Sequence, residues 1–180
     1  MTIEEWDQRY RAGEQVFDTP SPLVESVAGE LEPGVALDLA CGAGRNAVCL
    51  ATRGWRVTAV DGSATAVDLI RQRAPLVDTR VADLERGFVI APEFWDLICC
   101  AYYLQRDLIP KIQAGVKPGG VAIVIVHLAD AGCTPRQAAP GELHTMFAGW
   151  DVLHYYEGAP RESCHKRPVA ELAARRIDRR

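Results

Sequence analysis

A carboxylate set near the end of an apolar run, followed by a loop of small residues, carries the most visible chemistry in this sequence. Val35-Ala36-Leu37-Asp38-Leu39 leads into Ala40-Cys41-Gly42-Ala43-Gly44, and Arg45 to Arg53 has helical character. Small residues between a strand and a helix let a ligand approach the backbone, and the helix start offers free N–H groups to an anion. The string Gly42-x-Gly44-x-x-Ala47 formally satisfies the dinucleotide fingerprint, with Asp61 about where a ribose-binding acid should lie. Asp38 points away from a nicotinamide cofactor. A pyrophosphate gains nothing from a neighbouring carboxylate, whereas an ammonium or a sulfonium does. An acid in an apolar strand end is also costly to bury unpaired, which favours function over a capping or surface role.

Further candidates stand at the ends of other runs. Asp61 closes Arg56-Val57-Thr58-Ala59-Val60 and is followed by Gly62 and Ser63; there it could bind ribose or merely begin a turn. Asp83 follows Val77 to Val81, with Leu84 beside it, although Asp is common after strands. His127 ends the wholly apolar run Val121 to Val126, at the carboxyl edge where open α/β sheets bind ligands. General base and simple strand terminus are both open for it. Arg45 places a cation in the first turn of a helix, against the macrodipole, which hints at a compensating anion. Trp6 and Tyr10 share a helical face and suit either packing or ligand contact. Cys99-Cys100 read as small buried hydrophobes, and His144, His154 and His165 as surface or structural. Arg161-Glu162 could reach an acceptor, though a solvated turn is the plainer reading.

These residues need a frame. Helical segments are expected at Glu4 to Ala12, Leu23 to Leu31, Arg45 to Arg53, Ala64 to Arg73 (capped by Ser63) and Leu104 to Gly115, with helical turns at Glu142 to Phe147. Strands are expected at 35–39, 56–60, 77–81, 95–100 and 121–127. Lys117-Pro118-Gly119-Gly120 forms a turn before the last of these. Trp150 to Glu157 and Ser163 to Ala173 read as two more strands joined tightly through Gly158-Ala159-Pro160-Arg161, hence antiparallel. Val169 to Arg176 also has helical composition. Alternating strands and helices imply parallel βαβ units, so the fold class is α/β: a Rossmann-like three-layer sandwich with a mostly parallel seven-stranded sheet and an antiparallel C-terminal hairpin.

Taken together, the motifs resemble the class I S-adenosylmethionine-dependent methyltransferases, over nearly the whole chain from Trp6 to about Arg176. The family's acid-x-Gly-x-Gly-x-Gly is here Asp38-Leu39-Ala40-Cys41-Gly42-Ala43-Gly44, with Ala40 in place of the first glycine. The resemblance implies that Asp61, with Gly62 and Ser63, meets the cofactor's ribose, and that Asp83 and the Leu84 N–H meet its adenine. It places Cys100 on the methionine side of the pocket, and it matches Pro118-Gly119-Gly120 to the family's turn. Trp6-Asp7-Gln8-Arg9-Tyr10 is similar to the element that closes over the cofactor in small methyltransferases of the tellurite-resistance and thiopurine type. Gly44-Arg45-Asn46 resembles the former in particular.

The chain of 180 residues suits a single domain, with 1–31 as a helical lid and 32–180 as the Rossmann-like core. A net charge of −4, with basic residues clustered only at Arg175-Arg176 and Arg179-Arg180, argues against a nucleic-acid partner. No apolar run approaches membrane-spanning length and no secretory signal is visible, so a cytoplasmic location is expected. Six cysteines include no C-x-x-C pair and no histidine at zinc spacing, so no metal is expected. The implied activity is in-line methyl transfer from S-adenosyl-L-methionine to a small-molecule acceptor. The alternatives are a nicotinamide-dependent oxidoreductase and a non-catalytic S-adenosylmethionine-binding protein.

Overall fold

A computed structural model describes residues 1–14, 16–129 and 134–178. Arg179-Arg180 and part of the loop after His127 lie outside the described residues. Among the described residues, seven strands form one sheet of order β3-β2-β1-β4-β5-β7-β6. The strands are β1 (Val35–Leu39), β2 (Arg56–Asp61), β3 (Asp78–Val81), β4 (Trp95–Ala101), β5 (Val116–His127), β6 (Asp151–Gly158) and β7 (Val169–Arg175). The chain divides into two compact units, Met1–Val89 and Ile90–Arg180.

In the first unit β1, β2 and β3 pair in parallel, with Val35 opposite Arg56 and Thr58 opposite Asp78. Helix α1 (Ile3–Arg11) starts with a capping box: Thr2 accepts from the Glu5 N–H, and Glu5 accepts from the Thr2 N–H. Helix α2 (Pro22–Glu30) carries proline in its first turn, where no N–H is needed. Helix α3 (Arg45–Thr52) begins after Gly44, whose left-handed φ of 83° turns the loop into the helix. Helix α4 (Ala64–Arg73) is capped by Ser63, as its sequence predicts. Both crossover helices lie on β2, and Leu50, Val67 and Ile70 are buried there.

In the second unit β4 and β5 run parallel, while β7 pairs antiparallel to both β5 and β6. The helix expected over Leu104 to Gly115 is shorter. A 3₁₀ turn at Arg106–Leu108 precedes α5 (Ile109–Gly115), because Pro110 supplies no N–H and restricts the residue before it. The Lys117–Gly120 turn does not precede β5 but bulges within it. Trp95 pairs with Val116 and Leu97 with Val121, and Gly119 takes up the slack at φ +80°.

Helix α6 (Glu142–Met146) is a single short helix, as expected. The tight connection after Gly158 is corrected: β7 starts at Val169, not Ser163, and residues 159–168 form a longer loop. Helix-prone Val169–Ala174 is nonetheless a strand, because it is buried all along between β5 and β6, where small alanines fit both faces. Its buried Glu171 meets His154 at 3.3 Å and Arg161 at 3.8 Å.

Candidate functional site

The first unit builds a cradle where β1 ends. Asp38, 1% exposed, sits one residue before the strand's last position. The chain then turns left-handed at Ala40 (φ 51°), Gly42 (φ 55°) and Gly44 (φ 83°). At Ala40 an alanine holds the conformation that glycine adopts without cost. Gly44 lies so close to α4 that an added Cβ would stand 2.4 Å from the Ile70 side chain. That glycine is a packing requirement of the βαβ unit.

Asp61, at the end of β2, reaches back to this loop. One carboxylate oxygen accepts the Gly42 N–H at 2.8 Å, and the other accepts the Ser63 N–H at 2.8 Å. Burial pushes its carboxyl above the usual range, opposed by the N–H bonds from Ser63, Gly42 and Gly62. Asp61 therefore fixes the glycine loop and the start of α4 together.

Helix α1 lies over the same place. The Tyr10 hydroxyl stands 2.5 Å from where a Gly42 Cβ would be, and Ile3 stands 2.7 Å from that of Gly62. Trp6 stacks on Tyr10 with ring centroids 6.1 Å apart. Burial and the Asp61 charge raise the Tyr10 hydroxyl's pKa, so it stays protonated. Asp7 clasps the start of α4, accepting from Ser63 Oγ at 2.6 Å and from the Thr65 N–H at 3.0 Å. The Ser63 bond is the largest cause holding its carboxyl below the ordinary value. Arg45 donates to the Thr19 carbonyl at 3.4 Å and lies 5.7 Å over the Phe17 ring. Asp83 accepts the Glu85 N–H at 2.9 Å and pairs with Arg86, and the Leu84 side chain is buried.

In the second unit Cys100 is buried and its Sγ donates to the Tyr103 carbonyl at 3.4 Å. His127 ends β5; burial and the Arg167 charge lower its pKa, against a bond to Pro168 that raises it. Its ring lies 5.3 Å from that of Tyr102 and 5.4 Å from that of His165.

The family model for tellurite resistance protein TehB matches residues 7–167. The chain belongs to the TehB family. Hemagglutinin 1 of Eikenella corrodens is 31% identical over 157 residues, which cover 77% of this chain and 51% of that protein. The probable S-adenosyl-L-methionine-dependent methyltransferase TehB of Haemophilus influenzae strain KW20/Rd is 24% identical over 152 residues, 74% of this chain and 52% of its own. The crystal structure of TehB from Haemophilus influenzae superposes with a TM-score of 0.77 at 20% identity, covering 94% of this chain and 67% of that one. This TehB-family chain spans about half the length of these curated relatives.

Several residues of the TehB-family chain took on roles that spacing did not disclose. Asn46 is buried and accepts the Ser21 N–H at 2.9 Å, tying α2 to α3. Its place directly after Arg45 was the only available signal. Arg106 grips Glu142 through two bonds and also donates to the carbonyls of Pro135 and Gln137. Tyr102, in the left-handed region at φ 63°, donates to Glu162 at 2.5 Å and stacks on His165 at 3.6 Å. The sequence offered a surface or structural reading for His165 and a solvated turn for Glu162. The structure brings both onto Tyr102.

Proposed function

We propose that this chain binds S-adenosyl-L-methionine on the β1–α3 loop and transfers its methyl group to a small-molecule acceptor. The observation that carries the reading is Asp38. A carboxylate 1% exposed at the end of a parallel strand, beside a loop turned left-handed at three positions, suits a cationic ligand rather than a pyrophosphate. Membership of the TehB family supports the same reading.

When bound, the cofactor supplies a methyl group already activated on a sulfonium. The chain's own work is to bind, align and exclude water. Asp38 is assigned to the amino-acid ammonium and Arg45 to the carboxylate. Asp61 keeps lone pairs beyond its backbone bonds for the ribose hydroxyls, with Gly62 and Ser63 alongside. Asp83 and the Leu84 N–H are assigned to the adenine, and Ala40 and Gly42 to close backbone approach. Helix α1 acts as the cover, with Trp6 and Tyr10 presenting an aromatic face that favours a cation. His127, at the carboxyl end of β5, is assigned to accept a proton from acceptors that carry one. A soft anionic nucleophile needs no such help.

No described helix is long and apolar enough to cross a membrane. A cytosolic location, where thiols stay reduced, is part of the same proposal. The test is transfer of radiolabelled methyl to a panel of tellurite, selenite, small thiols and small carboxylic acids. Transfer to at least one member is expected. Binding of the cofactor without any transfer would instead indicate a binding protein.

A further inference from the structure

We propose that Glu162, Cys164 and His165 form a binding site for a divalent cation of the Zn²⁺ class. The three residues lie on the loop between β6 and β7, and a carboxylate oxygen, the Cys164 Sγ and an imidazole nitrogen all stand within 4.8 Å of one another. Carboxylate, thiolate and imidazole are the ligand types that Zn²⁺ takes. Bond lengths of about 2.0–2.3 Å place tetrahedral ligand atoms roughly 3.3–3.7 Å apart. The Cys164 Sγ already stands 3.7 Å from a Glu162 oxygen, so side-chain rotation by about an ångström closes the set.

The surroundings resemble support for ligands rather than casual packing. Tyr102 donates its hydroxyl to one Glu162 oxygen at 2.5 Å, and the Cys164 Sγ approaches the other. The same Tyr102 ring lies flat on His165, 3.6 Å between centroids and 12° between planes. One residue thus orients two of the three ligands, as outer-shell partners of metal sites do. Tyr102 does so from a left-handed backbone at φ 63°, a conformation costly for a tyrosine and held only where its surroundings demand it. The His127 ring packs edge-on against His165 and limits its rotation. Cys164 is exposed, which gives a cation an entry path and leaves a coordination position open to solvent or an anion. Binding replaces the thiol proton, which is released to solvent, and needs no redox partner. The residue spacing hides the site, because Glu162-x-Cys164-His165 matches no paired-cysteine pattern.

The test is titration of tag-free protein with Co²⁺, read by thiolate-to-metal charge-transfer absorption, and with Zn²⁺ by calorimetry. One cation per chain and a charge-transfer band are expected. Cys164→Ser should abolish the band and His165→Gln should weaken binding at least tenfold, with far-ultraviolet dichroism unchanged. Cys41→Ser should leave both readouts intact. Tyr102→Phe should weaken binding about 10–100-fold while retaining the band. Absence of a band in the wild type, or its persistence in Cys164→Ser, overturns the proposal. Neither readout depends on methyl transfer.

Discussion

Replacing Asp61 by alanine tests the physical role of the residue that the cradle depends on most. In the folded chain its carboxylate accepts the Gly42 and Ser63 N–H groups, each at 2.8 Å. The variant strands two largely buried backbone donors, and each such loss costs roughly 1–3 kcal/mol. Burial raises the Asp61 carboxyl, so the native charge carries a desolvation cost that the variant escapes. The net expectation is a loss of about 2–4 kcal/mol in unfolding free energy, a large part of a typical domain's stability. Asp61→Asn keeps one acceptor oxygen and turns an N–H donor toward the other amide, so it should lose less, about 1–3 kcal/mol. Urea unfolding followed by dichroism measures both. Calorimetry with S-adenosylhomocysteine, at a temperature where the variants stay folded, then reads the combined loss of loop anchoring and of the proposed ribose contact. If Asp61→Ala unfolds within about 0.5 kcal/mol of the wild type, the two backbone bonds do not anchor the loop and the reasoning fails.

Other predictions follow from the same geometry. Ala40→Gly should raise stability by about 1 kcal/mol by relieving the left-handed alanine, read as a higher urea midpoint; a lower midpoint would contradict the strain. Asp7 is held below its ordinary 3.8. Its contribution is therefore complete above that value and is lost as pH falls through the lower folded value. The wild type should lose more stability than Asp7→Asn on acidification below pH 3.8. Parallel curves would deny the clasp onto Ser63 and Thr65. Amides of α1 should gain hydrogen-exchange protection with S-adenosylhomocysteine, since α1 carries no buried residue of its own. Equal protection in both states would make Trp6 and Tyr10 ordinary packing residues.

The first unit's frame was legible because its signals are local. Asp38 interrupts an apolar run, Gly44 turns into α3 and Ser63 caps α4, each readable within a few residues. The partners of those residues were not legible. That Asp61 holds the Gly42 amide, or that Ile3 and Tyr10 rest on Gly62 and Gly42, depends on contacts between segments that no periodicity links. The C-terminal strand shows the same limit. Ala170, Ala173 and Ala174 favour a helix locally, and burial between two strands overrides that preference. Composition suggests a tight connection at 158–161 and a strand from Ser163, because nothing in it reveals that Tyr102, sixty positions before Glu162, holds this loop.

The Asp38–Asp61 cradle should bind the methyl donor and not a nicotinamide. Calorimetric titration of the wild-type protein with S-adenosylhomocysteine, and separately with NAD and NADP, distinguishes the two. Saturable binding of one S-adenosylhomocysteine per chain and no heat from either dinucleotide are expected. Binding of NAD or NADP with none of S-adenosylhomocysteine would refute the assignment of this loop to the methyl donor.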